Sequence, residues 1–232
     1  VHSATLPFEY LGIIFQKNLR LVQHFEARMA RALKAIGWIN TRCAKWKCMS
    51  WRHERTLWNA KGWSTLTYAV ERDPWHLDHP LEKIEVLWLR HAFGVGHNTS
   101  GWALYWLCGL LPATYRCWLR GLDFYSSLWQ KSDSSWGKLQ LKNQWLMFHT
   151  LTDSGALIDS GDVYFQKMRL LWLAGLYQVA RKTGWLDSHD FIELITDYPE
   201  HFKTLLTFLK TSITFYAKVQ MKAKLQDSTK FK

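Results

Sequence analysis

The chain has 232 residues, of which 48% are apolar and 21% are charged, and 15 of them are tryptophans. This balance excludes an intrinsically disordered chain and allows a buried core in one domain or two. The formal net charge is +11. Such an excess of positive charge favours an acidic partner, most often nucleic acid, over an inert basic surface.

The predicted elements begin with a hairpin. The stretch FEYLGIIFQKNL, residues 8–19, is typical of two short strands joined by a tight turn at Gly12. A helix over about 20–40 follows, and a second is predicted over about 52–70, where Gly62 weakens it. Apolar residues at spacings of three and four define the inward face of the first helix: Leu21, Phe25, Met29, Leu33 and Ile36.

Three further helices are predicted before a polar segment at 131–138. The first has an amphipathic pattern and ends at Gly94. A short helix then runs from Gly101 to Cys108, and a longer one covers about 112–130. The amphipathic face of the first of these helices comprises Leu81, Ile84, Leu87, Trp88 and His91.

The C-terminal region is predicted to end in one more amphipathic helix, which opens at Pro199. Its predicted inward residues are Phe202, Leu205, Leu206, Leu209, Ile213, Tyr216 and Val219, and its outward lysines are Lys203, Lys210, Lys218 and Lys222. The predicted fold class is therefore mainly α, with one short N-terminal β-hairpin. We predict a helical domain over 1–130, a polar spacer over 131–138 and a C-terminal helical region with a basic tail over 139–232.

Positive charge is concentrated near the N-terminus. Between Lys17 and Lys61 the chain has eleven Lys and Arg residues and two acids, Glu26 and Glu54. Such cations neutralise phosphates, and aromatic rings among them can stack bases at about 1–3 kcal/mol each. A single Trp is more often part of a core than of a binding surface. The charge of this segment therefore predicts nucleic-acid binding, whereas each of its tryptophans taken alone is better explained by burial. These tryptophans are Trp46, Trp51, Trp58 and Trp63.

Groups that perform catalysis or bind metal are not evident. The acids are scattered, and the loop GVGHNTSG lacks the Lys and the strand–helix context of a phosphate-binding loop. Cys43, Cys48 and His53 match no common zinc-ligand spacing, so we predict no metal, no cofactor and no enzymatic activity from this chain.

Four cysteines are too few for a disulfide framework in a chain of this length, and unpaired thiols favour a reducing compartment. The expected location is intracellular, in an organelle such as the mitochondrion or in the nucleus. We expect neither a transmembrane segment nor a signal peptide, and no membrane partner. The first residue is Val1, which indicates either a processed N-terminus or a piece cut from a longer chain.

Two motifs occur in an informative order. FEYLG, residues 8–12, precedes the basic helix, and LEKIEVLWLRHAFGVGHNTSGWALYWLCGLLPATYR, residues 81–116, follows downstream. Together they resemble the end of the reverse-transcriptase core of non-LTR (LINE-type) retroelements, over about residues 6–128. The resemblance implies a primer-grip hairpin and a helical thumb and connector. The catalytic aspartates of that family belong to a palm upstream of the hairpin, and this chain has no counterpart of them.

The resemblance implies that Tyr10, Leu11 and Gly12 form the grip, and that basic residues of the thumb hold the backbone of a template–primer duplex. The basic segment independently predicts a surface that binds nucleic acid, and the resemblance implies RNA or an RNA/DNA hybrid as the partner. The combined candidate residues are Tyr10, Gly12, Lys17, Arg20, Arg28, Arg31, Lys34, Arg42, Lys45, Trp46, Lys47, Trp51, Arg52, Arg55 and Lys61.

Three functions stay open at this level. The chain is a non-catalytic nucleic-acid-binding module derived from a reverse transcriptase, either a retroelement fragment or a partner of a separate palm polypeptide. Alternatively, it is a domesticated remnant that serves as a structural RNA-binding protein of a ribonucleoprotein, such as the mitochondrial ribosome. The third function is a protein–protein interaction or effector protein whose charge is incidental.

Overall fold

The computed structural model describes residues 8–15, 21–45, 50–72, 81–143 and 202–229, together with positions 176, 179, 180, 182 and 183. Within these residues it is mainly helical, with seven α-helices and one two-stranded hairpin, which confirms the predicted fold class. The chain divides into two compact units, Val1–Val70 with Asp78–Thr114, and Glu71–Leu77 with Tyr115–Lys232. The predicted spacer at 131–138 lies inside the second unit, and its role as a domain boundary stays a prediction.

The hairpin consists of β1, Phe8–Tyr10, and β2, Ile13–Phe15, which pair antiparallel with Glu9 opposite Ile14. Leu11 and Gly12 connect them with positive φ angles of 49° and 76°. Positive φ at both central residues is the signature of a type I′ turn, whose twist matches that of the strands. The predicted turn at Gly12 is therefore present.

Helix α1, Val22–Lys45, packs against β2 and against the chain that follows it. Its buried apolar residues are Phe25, Ala32, Ala35, Ile36 and Ile39 on α1 itself, with Leu21 just before it. The predicted inward face was wrong at Leu33, which is 43% exposed. Two alanines occupy the inward positions instead, because small side chains let neighbouring backbone approach closely.

The predicted helix over 52–70 is broken into pieces. Helix α2, Trp51–Leu57, continues into a π-helix at Trp58–Trp63, then into the single-turn helix α3, Ser64–Leu66. A 3₁₀ turn, Val70–Arg72, follows. A Cβ atom added at Gly62 would lie 2.1 Å from the ring of Trp58. Gly62 therefore makes room for a buried indole, besides lowering helix propensity as the sequence indicated.

The remaining helices of the first unit are α4, Leu81–Phe93, and α5, Gly101–Cys108. Both end at glycines with positive φ, Gly94 and Gly109, as αL residues commonly end helices. The predicted face of α4 was partly wrong. Its buried residues are Leu81, Glu85, Trp88 and Leu89, whereas His91 is exposed.

The second unit contains α6, Ala113–Trp129, from Tyr115 onward, a helical segment at 136–143, and α7, Phe202–Thr229. On α7, Leu205, Leu206, Leu209 and Ile213 are buried as predicted, but Val219 is 44% exposed. Ala217 and Met221 take the inward positions there. The part of the predicted C-terminal helical region that covers 144–201 lies outside the described residues, apart from the few positions near 180. Among the described helices, none combines the length and apolar character needed to cross a bilayer.

Candidate nucleic-acid interface

Five exposed side chains form a row along one face of α1. They follow one another at helical spacings of three and four residues, so they lie on neighbouring turns over about 21 Å. Lys61 from the π-helix joins them. We call these six residues the Trp38 surface: Arg31, Lys34, Trp38, Arg42, Lys45 and Lys61.

Trp38 lies at the middle of this surface and is 37% exposed. The Lys61 Nζ atom lies 4.0 Å from the centroid of its ring, and the Arg42 guanidinium carbon lies 5.4 Å from the same point. Both distances fall within the range of a cation–π interaction. An aromatic side chain therefore contacts two cations from two different segments of the chain.

The sequence of α1 explains why its outer face is strongly basic. Its only acid is Glu26, which lies one turn or more before the first residue of the Trp38 surface. No carboxylate of α1 therefore falls within the row from Arg31 to Lys45 to neutralise it. Repulsion among these cations costs stability unless an anion lies against them, which makes the surface suited to phosphates.

Arg28, a candidate from the sequence, does not belong to this surface. Its Nη2 atom donates a 2.5 Å hydrogen bond to the carbonyl oxygen of Gly12, and its guanidinium lies 4.3 Å above the ring of Tyr68. The hydroxyl of Tyr68 donates a 2.6 Å hydrogen bond to the carbonyl oxygen of Leu11. Burial, followed by the nearby Arg31, lowers the pKa of Arg28. Arg28 thus fixes the hairpin turn on α1.

His24 attaches the second strand to the same helix and is fully buried. The Ile14 amide donates to its Nδ1 atom at 3.3 Å, so this nitrogen carries no proton. Its Nε2 atom therefore holds the proton and donates to the Tyr68 carbonyl at 3.1 Å. Burial lowers the pKa of His24 most strongly, while the Tyr68 carbonyl raises it in part. Tyr10 and Leu11 extend into solvent from this fixed hairpin, with exposures of 63% and 74%.

Trp51 was a candidate for base stacking, and the structure places it in an intramolecular stack. Its ring lies 5.3 Å from that of Trp88 and 4.8 Å from that of Phe93, between centroids. Trp58 stacks on Trp88 at 4.7 Å and is fully buried, as expected for a single Trp. These rings stabilise the first unit through burial and offset stacking.

Two glutamates lie buried beside this stack. Both carboxylate oxygens of Glu85 accept hydrogen bonds, one from the Trp58 indole at 3.3 Å and one from the Tyr105 hydroxyl at 3.1 Å. Burial raises the pKa of Glu54, and the neighbouring Trp88 indole and His91 offset part of that rise. Sequence reasoning missed Glu85, because charged residues are seldom fully buried and its donors come from distant segments.

The other candidate residues are dispersed. Arg52 is exposed and Arg55 is half-buried on α2, and neither contacts Trp38 among the described interactions. Lys17, Arg20, Trp46 and Lys47 lie outside the described residues. The structure thus brings together five of the sequence candidates and adds Trp38, which the sequence analysis overlooked. Its spacing of four residues from both Lys34 and Arg42 was the available signal.

Cys43 and Cys108 are free thiols. Burial raises the pKa of Cys108 to about 11, with Arg55 lowering it and Glu85 raising it, and burial also raises the pKa of Cys43. Neither thiol is therefore activated as a nucleophile. In the part of the chain that the structure describes, no three His, Cys, Asp or Glu residues lie close enough to hold a metal ion.

Comparisons with known proteins give no family to which the chain can be assigned. A scan against protein-family models, a search of curated proteins and a search of solved structures each found no match.

Proposed function

We propose that this chain is a non-catalytic nucleic-acid-binding module that contacts the phosphate backbone of RNA or of an RNA/DNA hybrid through the Trp38 surface. The observation that carries the proposal is the row of cations along α1, joined by Lys61 at Trp38. Each cation that meets a phosphate releases condensed counterions, and this release supplies a large part of the binding free energy.

The order of elements supports an origin in a reverse transcriptase. A short hairpin precedes a long basic helix, and the LEKIE motif begins α4 further along the chain. A thumb-like role needs this combination of a fixed hairpin and an exposed basic helix, and needs no catalytic carboxylates. The module then acts on nucleic acid by holding it, either within a larger polymerase or beside a separate palm polypeptide.

A second candidate is a structural RNA-binding protein within a ribonucleoprotein. The observation in its favour is a second basic surface in the other unit, on α7, where Lys218, Lys222 and Lys224 are exposed. A protein embedded in folded RNA benefits from basic surfaces on separate units, because it contacts phosphates of several RNA segments. Co-sedimentation of the tagged protein with ribosomal particles at physiological salt would favour this candidate over the thumb-like module.

The direct test is the salt dependence of binding to labelled 20-nucleotide RNA and to an RNA/DNA hybrid, measured by fluorescence anisotropy. If all five cations of the Trp38 surface contact phosphates, the slope of log K against log salt is about −3.5 for a single strand and about −4.5 for a duplex. A protein whose charge is incidental would show either no binding or a slope near zero, which would refute the proposal.

Lys34→Glu and Lys83→Glu form a matched pair for this test. Both lysines are exposed in the first unit, and both substitutions change the charge equally, but Lys83 lies on α4 away from the Trp38 surface. We expect Lys34→Glu to weaken binding by roughly three- to tenfold at low salt and to reduce the slope by about one. Lys83→Glu should have a much smaller effect. Equal effects would place the nucleic-acid interface elsewhere.

A further inference from the structure

The position of Lys61 over Trp38 bears on what the ring can bind. Its Nζ atom lies 4.0 Å from the ring centroid, at a distance typical of direct contact with the aromatic face. A nucleobase that stacked on this face would need the same place. Stacking would therefore require the Lys61 side chain to move off the ring. The base–Trp38 stack would replace the cation–π interaction between Lys61 and Trp38.

Arg42 is a second cation that competes with a nucleobase for contact with the Trp38 ring. Its guanidinium lies 5.4 Å from the centroid of Trp38, one helical turn further along α1. The two cations approach the ring from different segments, α1 and the π-helix. The π-helix itself is defined by the burial of Trp58 against Gly62, so the backbone that carries Lys61 is fixed by the core. Trp38 thereby limits the positions that the ends of two long, flexible side chains occupy.

Ordering these side chains before binding has an energetic consequence. Lys and Arg lose considerable rotamer entropy when they become fixed on a ligand. A ring that holds them near their bound positions reduces this loss, which is the effect known as pre-organisation. It does so for any phosphate backbone, because the side chains that the ring orders are cations, and phosphates are common to every base sequence.

Resting on the function proposed above, we propose that the Trp38 surface recognises nucleic acid by its phosphates alone, and that Trp38 is a positioning residue for Lys61 and Arg42 rather than a platform for base stacking. The ligand class is therefore a phosphodiester backbone of any base sequence. Binding has no preference for base identity, and it does not require bases at all.

A comparison of two 20-residue ligands tests this inference: oligothymidylate, and an abasic phosphodiester of the same length and charge. Wild-type protein should bind the two within about twofold of each other, because backbone charge supplies the free energy. Trp38→Ala should weaken binding of both ligands by the same factor, about two- to fivefold, which corresponds to the loss of an exposed cation–π interaction. Trp38→Phe should restore part of this loss for both ligands.

The controls separate the inference from the function on which it depends. Trp106, on α5, is 54% exposed, so Trp106→Ala removes a comparable indole outside the Trp38 surface and should leave both affinities unchanged. If the abasic ligand binds at least tenfold more weakly, and Trp38→Ala affects oligothymidylate alone, then Trp38 stacks on bases. That result would overturn the inference and preserve the proposed function. If neither ligand binds, the inference fails, and the proposed function fails with it only if the 20-nucleotide RNA and the RNA/DNA hybrid also do not bind.

Discussion

Arg28 donates a 2.5 Å hydrogen bond from its Nη2 atom to the carbonyl oxygen of Gly12, sixteen residues earlier in the chain. This contact assigns a structural role to a residue that sequence reasoning placed among the candidates for phosphate binding. It also separates Arg28 from Arg31, which is exposed one turn later on the same helix. Two arginines three residues apart are thus expected to respond differently to substitution.

Arg28→Ala should lower the free energy of unfolding by about 1–2 kcal/mol, because it removes a charge-assisted hydrogen bond to the turn and a cation–π contact with Tyr68. Arg31→Ala should leave stability nearly unchanged and weaken nucleic-acid binding instead. Chemical denaturation and anisotropy titrations of the two variants provide both quantities. If Arg28→Ala keeps full stability and loses affinity, Arg28 contacts nucleic acid directly.

Leu11 has an unfavourable backbone conformation for its residue type. Its φ angle is 49°, a left-handed conformation that costs a residue with a Cβ atom roughly 1–2 kcal/mol. Its side chain is 74% exposed, so burial of that side chain compensates little of the cost. Leu11→Asn creates the Asn-Gly pair preferred in type I′ turns and should raise the free energy of unfolding by about 0.5–1 kcal/mol. A thermal midpoint equal to or below that of the wild type would contradict this prediction.

The helices of this protein can be predicted from local sequence patterns. The long-range hydrogen bonds between its side chains cannot. Apolar periodicity and the glycines at Gly94 and Gly109 determine where helices lie and end, and these signals span only a few neighbouring residues. The type I′ turn likewise needs only its own two residues. Mainly helical architecture with an N-terminal hairpin was therefore accessible from the sequence.

The residues that sequence reasoning misplaced or missed have partners far along the chain. Arg28 donates to the Gly12 carbonyl sixteen residues away, and Glu85 accepts from Trp58 across 27 residues. No local pattern distinguishes an arginine or a glutamate with such a partner from one in solvent. Trp38 was overlooked for the same reason, because Lys61 reaches it from another segment.

His24 makes the stability of the hairpin depend on pH. Its folded-state pKa lies below the ordinary value of 6.5, chiefly through burial, with Arg28 and Arg31 adding to the decrease and Glu9 opposing it. The unfolded chain therefore binds more protons than the folded chain between these two pKa values. The contribution of neutral His24 to the free energy of unfolding is fully present above about pH 6.5, and it should decrease as the pH falls below that value.

Denaturation midpoints at pH 7.5, 6.5 and 5.5 measure this dependence, and His24→Gln should flatten the part of the profile below pH 6.5. His53→Gln is the matched control, because His53 is exposed on α2 and hydrogen-bonds only to Ser50 among the described contacts. A pH profile that is unchanged by His24→Gln would show that other titratable groups cause the loss of stability at low pH.

Gly62 should not tolerate even the smallest side chain. A Cβ atom there would lie 2.1 Å and 2.2 Å from two ring carbons of Trp58, which is fully buried and has little room to move. Gly62→Ala should therefore lower the free energy of unfolding by about 1–3 kcal/mol, the usual cost of overpacking a core, despite the higher helix propensity of Ala. Gly37→Ala is the control, since an added Cβ meets nothing within 4 Å and should stabilise α1 slightly. Equal stability of the two variants would show that the π-helix can relax.

Substitution of Glu85 should lower the free energy of unfolding more than substitution of any other described acidic residue of the first unit. Its two oxygens accept from two buried donors, the Trp58 indole and the Tyr105 hydroxyl. Glu85→Gln preserves the shape of the side chain but replaces one acceptor oxygen with an NH₂ group. Its amide oxygen can accept from the Trp58 indole, and the Tyr105 hydroxyl must then reverse and accept from the NH₂ group. Exchanging two hydrogen bonds to a carboxylate for two neutral ones should lower the free energy of unfolding by about 1–2 kcal/mol. Glu82→Gln, three residues earlier on α4 and only half-buried, should cost far less. Chemical denaturation of both variants, followed by Trp fluorescence, measures the difference, and a Glu85→Gln protein as stable as Glu82→Gln would show that the buried carboxylate contributes nothing specific to the fold.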